Sequence, residues 1–141
     1  MLWIYVACDI VPELINFNRL KYKALNVEFR ALDIIADKLP SGKIVFIRQV
    51  LQHLSNDQIN ILIPKLKATY EYIILTEHLP SLDYFEHNLD KPTGPDIRAS
   101  IKSGIVLTSP PFWLSVINEQ LLCEEKLDSG EIIRTTLYKI N

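Results

Sequence analysis

Apolar residues fall along this chain in short runs separated by stretches of helical spacing. Leu2 to Cys8 is an unbroken apolar run rich in strand-favouring residues, which predicts a strand covered on both faces, as in parallel sheets. Pro12 and Glu13 follow, a pair suited to the first turn of a helix. Ile15, Tyr22 and Leu25, with Leu14 beside them, give that helix one apolar face, and Asn26 ends it. Val27 to Leu32 predicts a second strand. Residues 34–42 form a loop turned by Pro40-Ser41-Gly42, and Ile44 to Ile47 is a third, buried strand. Ser55, Asn56 and Asp57 carry helix-start chemistry. Ile59, Leu62, Ile63 and Leu66 then repeat at helical spacing, and Pro64 inside that pattern predicts a kink or a restart. Tyr72 to Thr76 is a fourth strand. Periodicity fades from Leu79 to Phe112, where five prolines and two glycines punctuate the chain. A loop of that length in a compact domain is usually functional or disordered. Gln120 to Leu127 and Glu131 to Ile140 flank Asp128-Ser129-Gly130, a hairpin signal.

Strands alternating with helices predict an α/β fold with a mostly parallel sheet, and the closing hairpin adds an antiparallel pair at one edge. The 141 residues suit one domain. With 15 basic and 17 acidic residues and no basic block, nothing points to a nucleic-acid partner. No apolar run approaches the roughly 20 residues that span a bilayer, and Met1 to Ala7 lacks the basic flank of a signal peptide. Cys8 and Cys123 sit in apolar stretches without CxxC spacing, which predicts buried free thiols and a cytoplasmic protein.

Three strands end in a charged residue: Asp9, Asp33 and Arg48. Ligands of open α/β sheets bind outside the carboxyl ends of strands, where an acid accepts hydrogen bonds from ribose hydroxyls. Asp also caps helices and turns, so both readings stand for Asp9 and Asp33. Arg48 to His53 is a site candidate on the same ground, against a solvated strand-to-helix loop. Glu77, His78, Asp83 and His87 give a metal site only if 83 and 87 share a helix face, and no second well-spaced pair supports it; no metal is expected. Ser103, Ser109 and Ser115 lack nucleophile-elbow context. Tyr70, Tyr72, Phe112 and Trp113, without basic interleaving, read as core or pocket wall. Arg98 and Lys102 read as solvated loop charges, with an anionic acceptor as the alternative.

Val6-Ala-Cys-Asp-Ile-Val-Pro-Glu-Leu-Ile15, Asn26-Val-Glu-Phe-Arg-Ala-Leu-Asp-Ile34 and Val45-Phe-Ile-Arg-Gln-Val-Leu-Gln-His-Leu54 resemble the second, third and fourth strand regions of class I S-adenosylmethionine-dependent methyltransferases. Thr93-Gly-Pro-Asp-Ile-Arg98 and Ser109-Pro-Pro-Phe112 resemble the substrate-side loop of one bacterial branch, and the closing hairpin matches the antiparallel pair of that sheet. The resemblance implies a Rossmann-like sheet and S-adenosylmethionine as cofactor. It places Asp9 on the ribose, Ile10 on the adenine, Asp33 and Ile34 at the adenine's border, and Arg48 and Gln49 toward the methionine end and the methyl acceptor. No catalytic residue is fixed; Arg48, Gln49 and His53 are the candidates, with His53 either a base or a helix–sheet packing residue. The family begins with a strand and a glycine-rich loop. The four glycines here, Gly42, Gly94, Gly104 and Gly130, form no GxG, and the chain starts where the family's second strand starts. The expectation is therefore a single domain over 1–141, incomplete at its amino terminus, with weak or absent cofactor binding alone. The acceptor stays unknown. The rival expectation is a non-catalytic binding module that forms a homodimer through an open strand edge.

Overall fold

The computed structural model describes residues 3–23, 26–81 and 83–141. The chain divides into two compact units, Met1–Pro40 and Ser41–Asn141.

The smaller unit is one βαβ element. Strand β1 (Tyr5–Asp9) pairs in parallel with β2 (Val27–Ala31), so that Asp9 lies opposite Ala31. Helix α1 (Pro12–Lys21) joins them, with Pro12 in its first turn and Arg19 and Lys21 in its last. The Arg19 guanidinium ties the helix to β2 by donating from Nε and Nη2 to the Phe29 carbonyl at 3.0 and 2.7 Å. Three expectations are corrected here. Strand β1 is not covered on both faces: Tyr5 is exposed, Val6 and Ala7 are only half-buried, and Trp3 and Ile4 ahead of the strand are exposed. The helix stops one residue before Tyr22, because Tyr22 takes an extended conformation and stacks on Phe29. Cys8 is exposed rather than buried, since β1 lacks a covering layer. Leu2 and Leu25, assigned to the first strand and the helix face, lie outside the described residues.

The larger unit holds a four-stranded mixed sheet in the order β3-β4-β8-β7. Strand β3 (Ile44–Arg48) runs parallel to β4 (Tyr72–Leu79). Strands β8 (Ile132–Lys139) and β7 (Asn118–Lys126) extend the sheet in antiparallel fashion. The parallel pairs β1–β2 and β3–β4 thus belong to two separate sheets among the described residues. Helix α2 (Asn56–Thr69) buries Ile59, Leu62, Ile63 and Leu66. It is continuous through Pro64, so no restart occurs. Pro64 is exposed, and the buried stripe and the amino-terminal cap hold the helix on both sides of it. Ser55 accepts from the Gln58 amide while the Gln58 side chain accepts from the Ser55 amide, a reciprocal cap. The β7–β8 turn closes with Gly130 at φ +87°, a left-handed angle that glycine adopts at low cost. Cys123 is exposed because all nine residues of edge strand β7 are.

The segment after β4 is ordered, though irregular. Short strands β5 (Glu86–His87) and β6 (Ser103–Gly104) pair in parallel, and a 3-10 turn spans Arg98–Ile101. A Cβ on Gly104 would lie 2.5 Å from the Leu79 side chain, so this strand reaches the sheet only as glycine. Buried Asn88 organises the rest. Its Nδ2 donates to the Val106 and Pro110 carbonyls, and its Oδ1 accepts from the Val106 amide, each at 2.8 Å.

Candidate cofactor and acceptor site

In the smaller unit Asp9 and Asp33 follow neighbouring parallel strands at their carboxyl ends. Asp9 closes β1 and Asp33 stands two residues beyond β2. Asp9 turns Oδ1 back to the Val11 amide at 2.9 Å. Asp33 holds its own turn: Oδ1 accepts from the Ile35 amide at 2.8 Å and the Ala36 amide at 3.2 Å, and its backbone amide donates to Asp37 Oδ2 at 2.8 Å. Both acids therefore do the local work of an aspartate at a turn, and a carboxylate has further lone pairs beyond those bonds. Ile10 is 65% exposed, an apolar side chain held beside Asp9 with no cover of its own. Ile34 is half-buried.

In the larger unit Arg48 ends β3 and is exposed. Gln49 takes a left-handed φ of 52°, and its amide donates to the Thr76 carbonyl at 2.7 Å. A non-glycine residue in that region stores backbone strain, a feature that clusters at ligand sites. His53 lies not on α2 but on a separate 3-10 turn (Leu51–His53) ahead of it. Its Nδ1 meets the Gly94 carbonyl at 3.2 Å and its Nε2 meets the Gln52 side-chain amide at 3.3 Å. A carbonyl only accepts, so Nδ1 carries the proton and Nε2 accepts from Gln52. Both ring nitrogens are engaged, and the ring pins residues 52–53 to the loop at Gly94.

The structure brings forward two residues that sequence reasoning placed elsewhere or passed over. Arg98 is not a solvated loop charge: it is 0% exposed. It donates to the carbonyls of Leu51, Gln52, Leu54 and Leu89 and to Asn56 Oδ1, at 2.7–3.4 Å. One guanidinium thus fixes the whole turn after β3. Burial lowers its proton affinity, with Asp90 and Glu77 acting in the opposite sense. Only the TGPDIR motif pointed to it, and a contact across more than 40 residues leaves no local pattern.

Glu77 is the second. It is 3% exposed on the covered face of β4, and neither carboxyl oxygen has a hydrogen-bond partner among the described residues. Burial raises its pKa to about 8, against the opposing pull of the Leu51 and Gln52 amides and the Arg98 guanidinium. An unsatisfied buried polar group costs about 1–3 kcal/mol.

The other flagged residues disperse. Neighbours on a strand face opposite ways, so His78 points away from Glu77 and pairs with Glu131 at 2.9 Å. His87 lies on β5, not on a helix with Asp83, and its Nδ1 meets Ser109 Oγ at 2.8 Å. Among the described residues no group of three His, Cys, Asp or Glu is placed to hold a metal ion. No helix among them is long and apolar enough to cross a membrane.

No sequence-family profile and no curated protein matches the chain. Solved structures do. The amino-terminal domain of EvdMO1, solved with SAH and D-fucose, superposes with a TM-score of 0.64 at 14% identity, over 98% of this chain and 66% of that one. A Listeria monocytogenes protein described as an S-adenosylmethionine-dependent methyltransferase gives 0.60 at 9% identity, over 98% and 81%. Human N-acetylserotonin methyltransferase in complex with SAM gives 0.56 at 13% identity, over 96% and 40%.

This chain has the class I methyltransferase fold.

It spans just under two-thirds of the EvdMO1 domain. S-adenosylmethionine is the cofactor that joins these neighbours, several of which hold SAM or SAH. The residue types of the smaller unit suit the adenosine half of such a molecule: the Asp9 carboxylate could accept from ribose hydroxyls, exposed Ile10 could pack on the base, and Asp33 and Ile34 could border it. The sequence supplies no GxG loop for its other half.

Proposed function

We propose that this chain is methyltransferase-like, its smaller unit taking the adenosine part of S-adenosylmethionine at Asp9, Ile10, Asp33 and Ile34, and its larger unit carrying Arg48 and Gln49 as the candidates for handling a methyl acceptor. The observation that carries this is the placing of Asp9 and Asp33 at the carboxyl ends of two hydrogen-bonded parallel strands in a methyltransferase fold. The sheet lacks the family's first strand, and with no GxG in its 141 residues the chain binds the cofactor weakly by itself. When bound, the cofactor supplies an electrophilic methyl group. The protein's part is alignment: the strained Gln49 and exposed Arg48 would orient an acceptor, and the His53–Gly94 contact would hold their turn in place. The acceptor is unassigned.

The test is an NMR titration of the purified chain with SAH. The proposal expects millimolar binding, with amide shifts centred on residues 9–10 and 33–35, weakened about tenfold in Asp9→Asn. Shifts centred elsewhere, or none at saturating SAH, would overturn the cofactor reading. Micromolar affinity would overturn the claim of weak binding alone. A stable dimer in light scattering with no SAH response would favour the binding-module alternative.

A further inference from the structure

Strand β4 meets the turn after β3 through three successive residues. The Thr76 carbonyl accepts from the Gln49 amide at 2.7 Å, and the His78 amide donates to the Gln52 side-chain oxygen at 3.2 Å. Glu77 lies between them, its carboxyl buried against the Leu51 and Gln52 amides. Those two open the 3-10 turn, so the turn itself gives them no acceptor. On its carbonyl side the same turn receives the Arg98 guanidinium, which donates to Leu51, Gln52 and Leu54. The turn thus stands between a cation at its carbonyls and an acid at its amides. The two sides are unequal: Arg98 bonds to each of those carbonyls, whereas neither Glu77 oxygen forms a hydrogen bond among the described residues. The acid faces the amides without holding them.

We propose that Glu77 is a positioning residue for the methyl-acceptor side: on losing its proton, its carboxyl draws in the Leu51 and Gln52 amides and so sets the turn that carries Arg48 and Gln49. The consequence for methyl transfer rests on the role proposed above for Arg48 and Gln49; the coupling of Glu77 to the turn does not. Hydrogen bonds to an ionised acceptor are shorter and roughly twice as strong as neutral ones, so the proton decides how tightly the amides are held. Gln49 is where the change is felt. Its left-handed φ of 52° persists only under constraint from its surroundings, and its amide is tied to the residue before Glu77. The charged groups around the carboxyl set when the proton leaves. Arg98 and the two amides favour the ionised form, and burial outweighs them, so the acid keeps its proton up to about pH 8. Arg134 lies directly opposite on β8 but donates to Glu124 at 2.8 Å. Tyr138, also on β8, is held neutral by burial, and Glu119 approaches from β7. His78 points to the other face and meets Glu131. The proton goes to solvent, and the charge it leaves is faced by Arg98.

The experiment is a pH titration of the full chain without SAH, from about pH 5 to pH 10, which crosses the ordinary carboxylate range and extends above it. Carbon-detected NMR follows side-chain carboxyl carbons and backbone nitrogens together. The Glu77 carboxyl carbon is expected to titrate with its midpoint near pH 8. The Leu51, Gln52 and Gln49 nitrogens should shift with that same midpoint. Glu77→Gln keeps the side chain's shape and abolishes all three shifts, while unchanged α2 resonances show that the variant folds. The parent titration decides alone if the variant does not. A Glu77 midpoint in the ordinary carboxylate range, turn nitrogens that do not follow Glu77, or shifts that persist in Glu77→Gln would overturn the proposal. Movement at Leu51 and Gln52 without Gln49 would overturn it too, since the acid would then bind the turn without positioning the residues ahead of it. With no cofactor in the sample, failure of the SAH-binding proposal would leave each of these outcomes unchanged.

Discussion

Helix α1 buries one side chain, Ile15, while Phe17 and Leu20 are 56% and 76% exposed; helix α2 buries Ile59, Leu62, Ile63 and Leu66 along one stripe. The two helices follow parallel strands in the same βα manner, yet one is held by a core and the other largely by local chemistry. In the smaller unit the bonds near the candidate ligand residues are short-range, such as Asp9 to Val11 and Asp33 to Ile35. In the larger unit they span the chain, from Arg98 to Leu51 and from His53 to Gly94. Acids that turn their own backbone can be set by a few residues of sequence. A strained turn like that at Gln49 persists only where surrounding structure over-determines it. The difference predicts that substitutions will be felt unevenly.

The largest effect is expected at Arg98. Arg98→Met removes the guanidinium donors to the Leu51, Gln52, Leu54 and Leu89 carbonyls and to Asn56 Oδ1, and the Leu51 carbonyl keeps only the Leu54 amide. The loss is about 3–5 kcal/mol in urea unfolding. Amide exchange in residues 51–54 should accelerate while exchange in α1 stays unchanged. Equal acceleration in both would break the contrast between the units.

Next comes a matched pair of leucines. Leu62→Ala opens a cavity under α2 and costs about 3 kcal/mol, whereas Leu20→Ala on exposed α1 stays within about 0.5 kcal/mol. Thermal unfolding of the two variants side by side decides it.

Glu77 gives a pH-dependent effect. Its pKa is raised from 4.5 to about 8 in the folded chain. The folded state therefore holds a proton that the unfolded state has lost, so stability falls as pH rises between those values, by at most about 1.4 kcal/mol per pH unit, and levels off above. Glu77→Gln removes that slope, and the variant should exceed the parent by about 4 kcal/mol at pH 8 and match it near pH 4. Urea midpoints at both pH values provide the check, and a parent that gains stability from pH 5 to pH 8 relative to the variant would reverse the sign argued here.

What was legible in the sequence divides along the same line. The order of strands and helices, the Ser55 start of α2 and the Gly130 hairpin all follow from local periodicity and turn chemistry, and the structure shows each. Asp9 and Asp33 stood out because a strand end is a local feature. Arg98 and Glu77 could not be placed that way. Arg98 sits in a proline-rich stretch that looks solvated until its acceptors arrive from more than 40 residues away. Glu77 ends an apolar run where an acid looks like the start of a loop, yet β4 continues to Leu79 and carries it inward. The exposed apolar surface of the smaller unit was hidden for the opposite reason, since periodicity marks which residues share a face and not whether anything covers it.

The finest contrast lies in how the two helices begin. Ser55 gives α2 a reciprocal cap with Gln58, so Ser55→Ala should cost about 1 kcal/mol. Helix α1 starts at Val11, whose side chain makes no cap, and relies on Asp9 accepting from the Val11 amide. Val11→Ser should therefore add what Ser55→Ala removes. Its hydroxyl can accept from the Leu14 amide, Pro12 has no amide to satisfy, and the backbone at Val11 is already extended with φ −89° and ψ 105°. The gain is about 0.5–1 kcal/mol, read as slower exchange of the Leu14 amide. It is informative because it leaves the apolar face of α1 untouched. If capping alone slows exchange there, the smaller unit is limited by its local signals. If exchange at Leu14 does not move while Ser55→Ala costs its full amount, the weakness of α1 lies in its exposed face instead.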